Sequence, residues 1–177
     1  MADDKKEPWL NYLALTTVIL AVCATLATFK GGGYSTRAVM SQSQASDQWA
    51  YYQAKSLKEN LYVMQKEQLE TDLATRGLTG EAKQLVETKI AEYQKKIDKY
   101  SHERKTIEQE AKNLEKIRDD SQLHSKAFGM AVIFLQISIL LCSISGLMKK
   151  KTLWLSGVAG GSVGLVFFAN GFLLFLS

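Results

Sequence analysis

Few side chains in this sequence have the types and spacing that metal binding or disulfide formation requires. His102 and His124 lie far apart, and Cys23 and Cys142 each stand alone inside an apolar run. Zinc sites and disulfide frameworks instead place such residues at short, repeated spacings. We therefore interpret the histidines as solvated helix positions and the cysteines as small core residues, and we predict no metal or cofactor.

Acidic side chains are numerous, but their spacing is typical of a helix surface. Glu92 lies three and four residues before Lys95 and Lys96, a spacing that forms weak ion pairs along a helix. Asp119 and Asp120 are adjacent and could attract a cation, although no third ligand is near them in sequence. No phosphate-binding loop or nucleophile motif is present. We predict that the protein is not an enzyme.

Two uncharged polar residues, Gln136 and Asn170, lie within apolar runs. If several copies of the chain surrounded an axis, these amides could line a conduction path. The alternative is a single hydrogen bond between helices, which we favour because no charged residue lies within those runs to carry an ion or a proton.

Three runs without Asp, Glu, Lys, Arg or His cover residues 8–29, 127–148 and 152–177. Each reaches the roughly 20 residues that a helix needs to cross a bilayer. The sequence thus predicts an all-α membrane protein with three transmembrane helices and a long helical hairpin outside the membrane. The predicted order is a cytoplasmic tail at 1–8, a span at 9–29, an extramembrane hairpin at 30–126, a span at 127–148, a basic turn at 149–152 and a span at 153–176.

The orientation follows from the short loop between the last two spans. Residues 149–151 are all lysine, and positive charge in short loops favours the cytoplasmic side. Trp9 and Trp154 each begin a span, as expected of aromatic residues at a membrane interface. We expect the amino terminus to be cytoplasmic and the hairpin to lie on the opposite side.

Glycines in the third span have the spacing that allows close helix packing. Gly157 precedes Gly161 by four residues, and Gly160 precedes Gly164 by four. Small residues at this spacing allow two helix backbones to approach closely. We predict that these four glycines are packing positions.

The middle segment shows the alternating spacing of four and three residues that defines a coiled coil. The arms are predicted at about 36–76 and 80–126, with a turn that contains Gly77 and Gly80. The three glycines at 31–33 predict a hinge, because glycine weakens a helix interior. Representative seam residues are Ile90, Ile97 and Ile107 on the second arm and Ala50, Leu57 and Leu61 on the first.

Residues 41–56 carry little charge but contain one tryptophan, two tyrosines and four glutamines. On a helical wheel, Ala45, Trp49, Tyr52 and Ser56 share a face about 130° from the predicted first-arm seam. Aromatic residues often anchor protein interfaces, so we predict a subunit interface on this face. Contact with lipid headgroups, or folding back on the same chain, is the alternative.

The run QASDQWAYYQAKSLKENLY, which follows WLNYLALTTVILAV and GGGYSTRAV, resembles the bacterial membrane-protein family known as domain of unknown function 4337. The similarity extends over the whole chain. It implies a three-span membrane protein with a helical middle segment, found in bacteria, and it brings no assigned activity or catalytic residue. We accordingly expect the protein in the bacterial inner membrane, with the hairpin periplasmic.

Two classes of function agree with these features. We favour a structural or scaffolding homo-oligomer that contacts membrane lipids, with other membrane proteins as further partners and no nucleic acid. The alternative is a transport function, either as a pore or as an accessory subunit that docks its hairpin on a transporter.

Overall fold

A computed structural model describes residues 8–176, which form three α-helices and no strand. Helix α1 spans Pro8–Thr75, α2 spans Glu81–Met148 and α3 spans Lys151–Leu173. The predicted cytoplasmic tail lies outside the described residues except for Pro8. The all-helical class predicted from the sequence is confirmed for the described part of the chain.

The chain divides into two compact units. The hairpin unit is Ser41–Lys116, and the three-helix unit consists of residues 8–40 and 117–176. Helices α1 and α2 each contribute to both units, whereas α3 belongs to the three-helix unit alone.

The predicted hinge at residues 31–33 is corrected by the structure, in which α1 is helical throughout this stretch. Packing explains one of the three glycines. A Cβ atom at Gly31 would lie 3.0 Å from the Cβ of Phe128 on α2, so a side chain there would force the two helices apart. Gly31 therefore permits a close helix contact.

Two turns connect the helices. Gly77 and Gly80 have φ angles of 57° and 62°, the left-handed region that glycine adopts without steric cost. The second turn is basic, and Lys149 also has a positive φ of 52°. Ser145 donates a hydrogen bond from its hydroxyl to the carbonyl oxygen of Lys150 at 2.8 Å. This bond satisfies a carbonyl just before α3 begins.

The three-helix unit is apolar inside and apolar outside. Its core includes the fully buried Phe128 and Leu135, yet Leu15, Ile137 and Leu155 are each about half exposed or more. In water such a surface would be unfavourable. Each of the three helices contains a stretch that is long and apolar enough to cross a membrane.

Aromatic residues mark one end of this unit. The rings of Trp9 and Trp154 lie 6.2 Å apart, and the indole N–H of Trp154 donates to Thr16 Oγ1 at 3.1 Å. The beginnings of α1 and α3 therefore lie at the same end of the unit.

Candidate functional site

The interior of the hairpin unit is formed by the aromatic face of the first arm. Ala45 is 1% exposed, and the indole N–H of Trp49 donates to Glu115 Oε1 on the second arm at 2.9 Å. Tyr52 and Ser56, on the same face, are half-buried. This geometry corrects the predicted subunit interface, because these residues pack within their own chain.

Ion pairs connect the two arms beside this aromatic face. Arg104 donates hydrogen bonds to Glu59 Oε2 at 2.7 Å and to the hydroxyl oxygen of Tyr52 at 2.8 Å. Lys55 Nζ lies 2.6 Å from Glu103 Oε2. The side chains of Lys55 and Glu59 are each 15% exposed. Paired charges at inward positions specify register, since a slipped alignment would leave each charge without its partner.

The pKa values of Arg104, Lys55 and Glu103 are moved away from neutrality by these contacts. The hydrogen bond to Tyr52, together with Glu59, raises the pKa of Arg104. The Glu103 carboxylate raises the pKa of Lys55, and Lys55 in turn lowers the pKa of Glu103. A general acid or base works best with a pKa near the ambient pH, so these groups act as fixed charges that hold the arms together.

Tyrosine rings fill the hairpin nearer its turn. The ring of Tyr62 lies 5.8 Å from that of Tyr100 in a stacked arrangement and 5.5 Å from that of Tyr93. The ammonium group of Lys96 lies 5.0 Å from the centre of the Tyr62 ring. Such contacts combine apolar burial with cation–π attraction.

The predicted seam residues of the second arm lie at buried or half-buried positions. Ile107 is 6% exposed and Ala111 is fully buried, while Ile90 and Ile97 are half-buried. The seam of this arm therefore faces the aromatic and charged side chains of the first arm.

The first arm differs from its predicted arrangement. Leu57, Leu61 and Met64 are 63%, 50% and 66% exposed, and Ala50 and Ala54 are exposed as well. These five residues, which we call the outer stripe, retain coiled-coil spacing but point away from the second arm. The structure thus corrects the predicted seam at Ala50, Leu57 and Leu61. The physical reason is that the aromatic and ion-paired face makes hydrogen bonds across the hairpin that alanine and leucine cannot make.

A family model described as a domain of unknown function, DUF4337, matches residues 9–174. The chain belongs to the DUF4337 family. No curated protein and no solved structure matches it. The resemblance noted in the sequence is confirmed, and the family match covers the whole hairpin unit and most of the three-helix unit.

The glycines of α3 in this DUF4337 protein lie against α1 and α2 of the same chain. A Cβ at Gly157 would lie 2.9 Å from Cys142 Sγ, and one at Gly161 would lie 2.9 Å from a Leu20 methyl carbon. The corresponding distances are 2.8 Å from Gly164 to Leu135 Cγ and from Gly160 to Ser138 Oγ. The four glycines therefore allow α3 to approach its neighbours closely.

The two amides within apolar runs, Gln136 and Asn170, which were considered as a possible pore lining, have different surroundings. Asn170 is 5% exposed, and its Oδ1 accepts a hydrogen bond from the backbone N–H of Leu176 at 2.7 Å. The backbone carbonyl oxygen of Asn170 accepts a hydrogen bond from the backbone N–H of Leu174 at 2.8 Å. Asn170 thus satisfies backbone groups at the end of α3 within one subunit, whereas the interpretation favoured from the sequence was a hydrogen bond between helices. Gln136 is exposed.

His124 also departs from its predicted role as a solvated residue. Its ring stacks on Tyr34 with centroids 4.4 Å apart, and its Nδ1 lies 2.8 Å from the carbonyl oxygen of Gly171. A Cβ at Gly171 would lie 2.6 Å from the ring of Phe128. Sequence reasoning missed Tyr34 and Gly171, although a glycine close to the carboxyl end of a helix is a signal for close contact.

The other candidate ligands do not form a cluster in the described residues. No group of three or more His, Cys, Asp and Glu side chains suitable for a metal is found between residues 8 and 176. Asp119 lies 2.8 Å from Arg118 Nε. Cys23 and Cys142 are free thiols, with Cys142 buried.

Proposed function

We propose that this protein is a non-enzymatic, homo-oligomeric scaffold of the bacterial inner membrane, in which the three-helix unit is the membrane anchor and the hairpin unit lies outside the bilayer. The amino terminus is cytoplasmic in this proposal, since the basic turn at residues 149–151 favours that side.

The outer stripe is the observation that carries the proposal. Its members recur at intervals of four and three residues, the pattern by which one helix packs into another. The first arm uses a different face, about 130° away around the helix, to bind the second arm. A helix with two such faces has one partner within the chain and a second face available to another helix.

A second copy of the chain is a fitting partner for geometric reasons. Copies anchored in one membrane have the same orientation, so their first arms run parallel and place equivalent residues at equal heights. Parallel pairing brings each leucine of the outer stripe beside its counterpart, as in a coiled coil. The polar and charged interior of the hairpin unit adds support, because two arms with so little buried apolar surface gain stability from further packing.

Native mass measured in lipid tests this proposal. The unaltered protein is expected to form a discrete oligomer, and combining Leu57→Asn with Leu61→Asn is expected to reduce it to smaller species. Leu85→Asn is the matched control, because Leu85 is 66% exposed on the second arm and lies outside the outer stripe. A monomeric unaltered protein would contradict the proposal, as would an equal response to the control.

A transport role has less support from these side chains. Of the two amides that could line a pore, Asn170 makes its hydrogen bonds within one subunit. If the outer stripe instead binds a transporter helix, the unaltered chain would be found as one copy bound to a protein of different mass. The Leu57→Asn and Leu61→Asn variant would lose that protein and remain a single copy.

A further inference from the structure

The outward face of α2 in the three-helix unit carries a repeated set of small and polar residues. Gly129, Gln136 and Ser143 are all exposed and lie at intervals of seven. Large apolar residues alternate with them, and Ile133, Leu140 and Leu147 are 52%, 63% and 87% exposed. We call these six residues the α2 outer face. Intervals of seven keep one side of a helix directed at one partner.

Gln136 is the residue on this face whose hydrogen-bonding groups would find no partner in lipid. It lies near the middle of the apolar stretch at residues 127–148, and its side chain makes no hydrogen bond to any residue between 8 and 176. A primary amide has two donor hydrogens and an acceptor oxygen, and hydrocarbon offers none of them a partner. Ser143 differs, because its hydroxyl donates to the carbonyl oxygen of Ile139 on its own helix at 2.8 Å.

Gly129 indicates that this face has room for a closely packed helix. A Cβ at Gly129 would meet no atom within 4 Å, so the subunit itself does not require glycine there. The glycines of α3 form a contrast, since a Cβ at Gly164 would lie 2.8 Å from Leu135. Glycine on an outward face at membrane depth is suited to a contact between helices of different subunits.

We infer that the α2 outer face binds the same face of a second copy of this chain, and that the Gln136 side chains of the two copies hydrogen-bond to each other. The inference rests on the proposed homo-oligomer and identifies its contact within the membrane. An amide is both donor and acceptor, so it is complementary to itself. Copies inserted in one orientation place Gln136 at the same depth, and a two-fold axis along the membrane normal brings the two amides together.

Disulfide crosslinking in native membranes tests this contact. Cys23 and Cys142 are replaced by alanine in the full chain, and single cysteines are introduced as Gln136→Cys, Ser143→Cys and Ile137→Cys. Under a mild oxidant, the cysteines at 136 and 143 are expected to link two copies. Ile137→Cys is the matched control, because Ile137 is 49% exposed at the same depth but points about 100° away around the helix.

Native mass separates failure of this inference from failure of the proposed function. An oligomer that shows no crosslink at 136 or 143, or equal crosslinking at 137, overturns the α2 contact and leaves the homo-oligomer intact. A monomer overturns both, and a crosslink to a protein of different mass overturns the choice of a second copy.

A complementary measurement compares association in lipid for variants at Gln136 in the protein that keeps Cys23 and Cys142. Gln136→Leu is expected to weaken association in lipid by roughly tenfold, and Gln136→Asn to retain most of it, because a single intramembrane hydrogen bond contributes on this scale. Unchanged association in Gln136→Leu would contradict a hydrogen-bonded pair.

Discussion

The three-helix unit and the hairpin unit bury different kinds of side chain. Among the described residues, the buried side chains of the three-helix unit are apolar or uncharged, with Phe128 and Leu135 at its centre. The hairpin unit instead turns Lys55, Glu59 and Arg104 toward its inner seam. An apolar interior combined with an apolar exterior suits lipid, where the shape of the packing must supply specificity. A helical pair in water gains specificity from charges, because a misaligned charge must be desolvated without a partner.

The largest effect that separates the two units is expected from glycine substitutions. Gly164→Leu would place a Cβ 2.8 Å from Leu135 Cγ, and such overpacking destabilises by about 3 kcal/mol. Gly33→Leu is the matched control, because nothing lies within 4 Å of a Cβ there and leucine favours a helix by about 1 kcal/mol over glycine. Loss of helicity on heating in lipid discs measures both. Equal destabilisation by the two variants would contradict the close packing of α3.

Breaking one ion pair of the hairpin unit is expected to have the next largest effect. Arg104→Leu leaves Glu59 and Tyr52 without their partner, and we expect a loss of about 2 kcal/mol. Replacing Glu59 and Arg104 together by leucine is expected to be nearly neutral, because it removes both charges from a partly buried site. A double-mutant cycle from chemical unfolding measures the difference. If the two single losses simply add, the pair is not coupled.

A smaller effect is expected from the indole hydrogen bond. Trp49→Phe keeps the ring but removes the N–H that donates to Glu115, which is expected to cost about 1 kcal/mol. Tyr12→Phe is the control, since Tyr12 is 62% exposed. Chemical unfolding followed by far-ultraviolet circular dichroism compares the two. Equal stability of Trp49→Phe and the unaltered protein would show that Glu115 finds an equivalent partner.

The contrast between the units also explains which features the sequence could predict. Apolar runs predicted the helical, apolar segments of the three-helix unit, because absence of charge over some 20 residues is a strong and local signal. The second-arm seam followed from isoleucine, tyrosine and alanine at intervals of four and three. The first arm carries two stripes with coiled-coil spacing, and ranking them by apolarity selected the exposed stripe.

The repeat of inward-facing positions along α1 would have identified the face of the first arm that packs against the second arm. Buried or half-buried positions recur at intervals of four and three from Leu20 through Ala24, Ala27, Gly31, Tyr34, Ala38 and Ser41 to Ala45. The hinge predicted at residues 31–33 hid this repeat, because it divided α1 into two separate helices. The contacts of His124 with Tyr34 and Gly171 depend on residues far apart in sequence, which no local pattern reveals.

The smallest difference expected between the units is in their response to acid. Neighbouring lysines lower the pKa values of Glu92, Glu103 and Glu108. The stability that these carboxylates contribute is therefore present above their ordinary pKa of about 4.3 and is lost as pH falls through the lowered values. The three-helix unit has one such carboxylate, Asp119 beside Arg118. Hydrogen exchange, corrected for the intrinsic effect of pH, should show loss of protection first in the hairpin unit. If the three-helix unit lost its protection from exchange first, the prediction that these carboxylates mainly stabilise the hairpin unit would be wrong.

The central claim is that the first arm binds the second arm through its aromatic face, which contains Trp49, and binds another copy of the chain through its outer stripe. Its most direct test compares Trp49→Ala with Leu57→Ala for both unfolding midpoint and native mass in lipid. Trp49→Ala is expected to lower the stability of the hairpin unit by about 2 to 4 kcal/mol, and Leu57→Ala to weaken assembly with a small effect on the isolated subunit. The opposite pattern, with Trp49→Ala separating copies and Leu57→Ala melting the hairpin, would contradict the account.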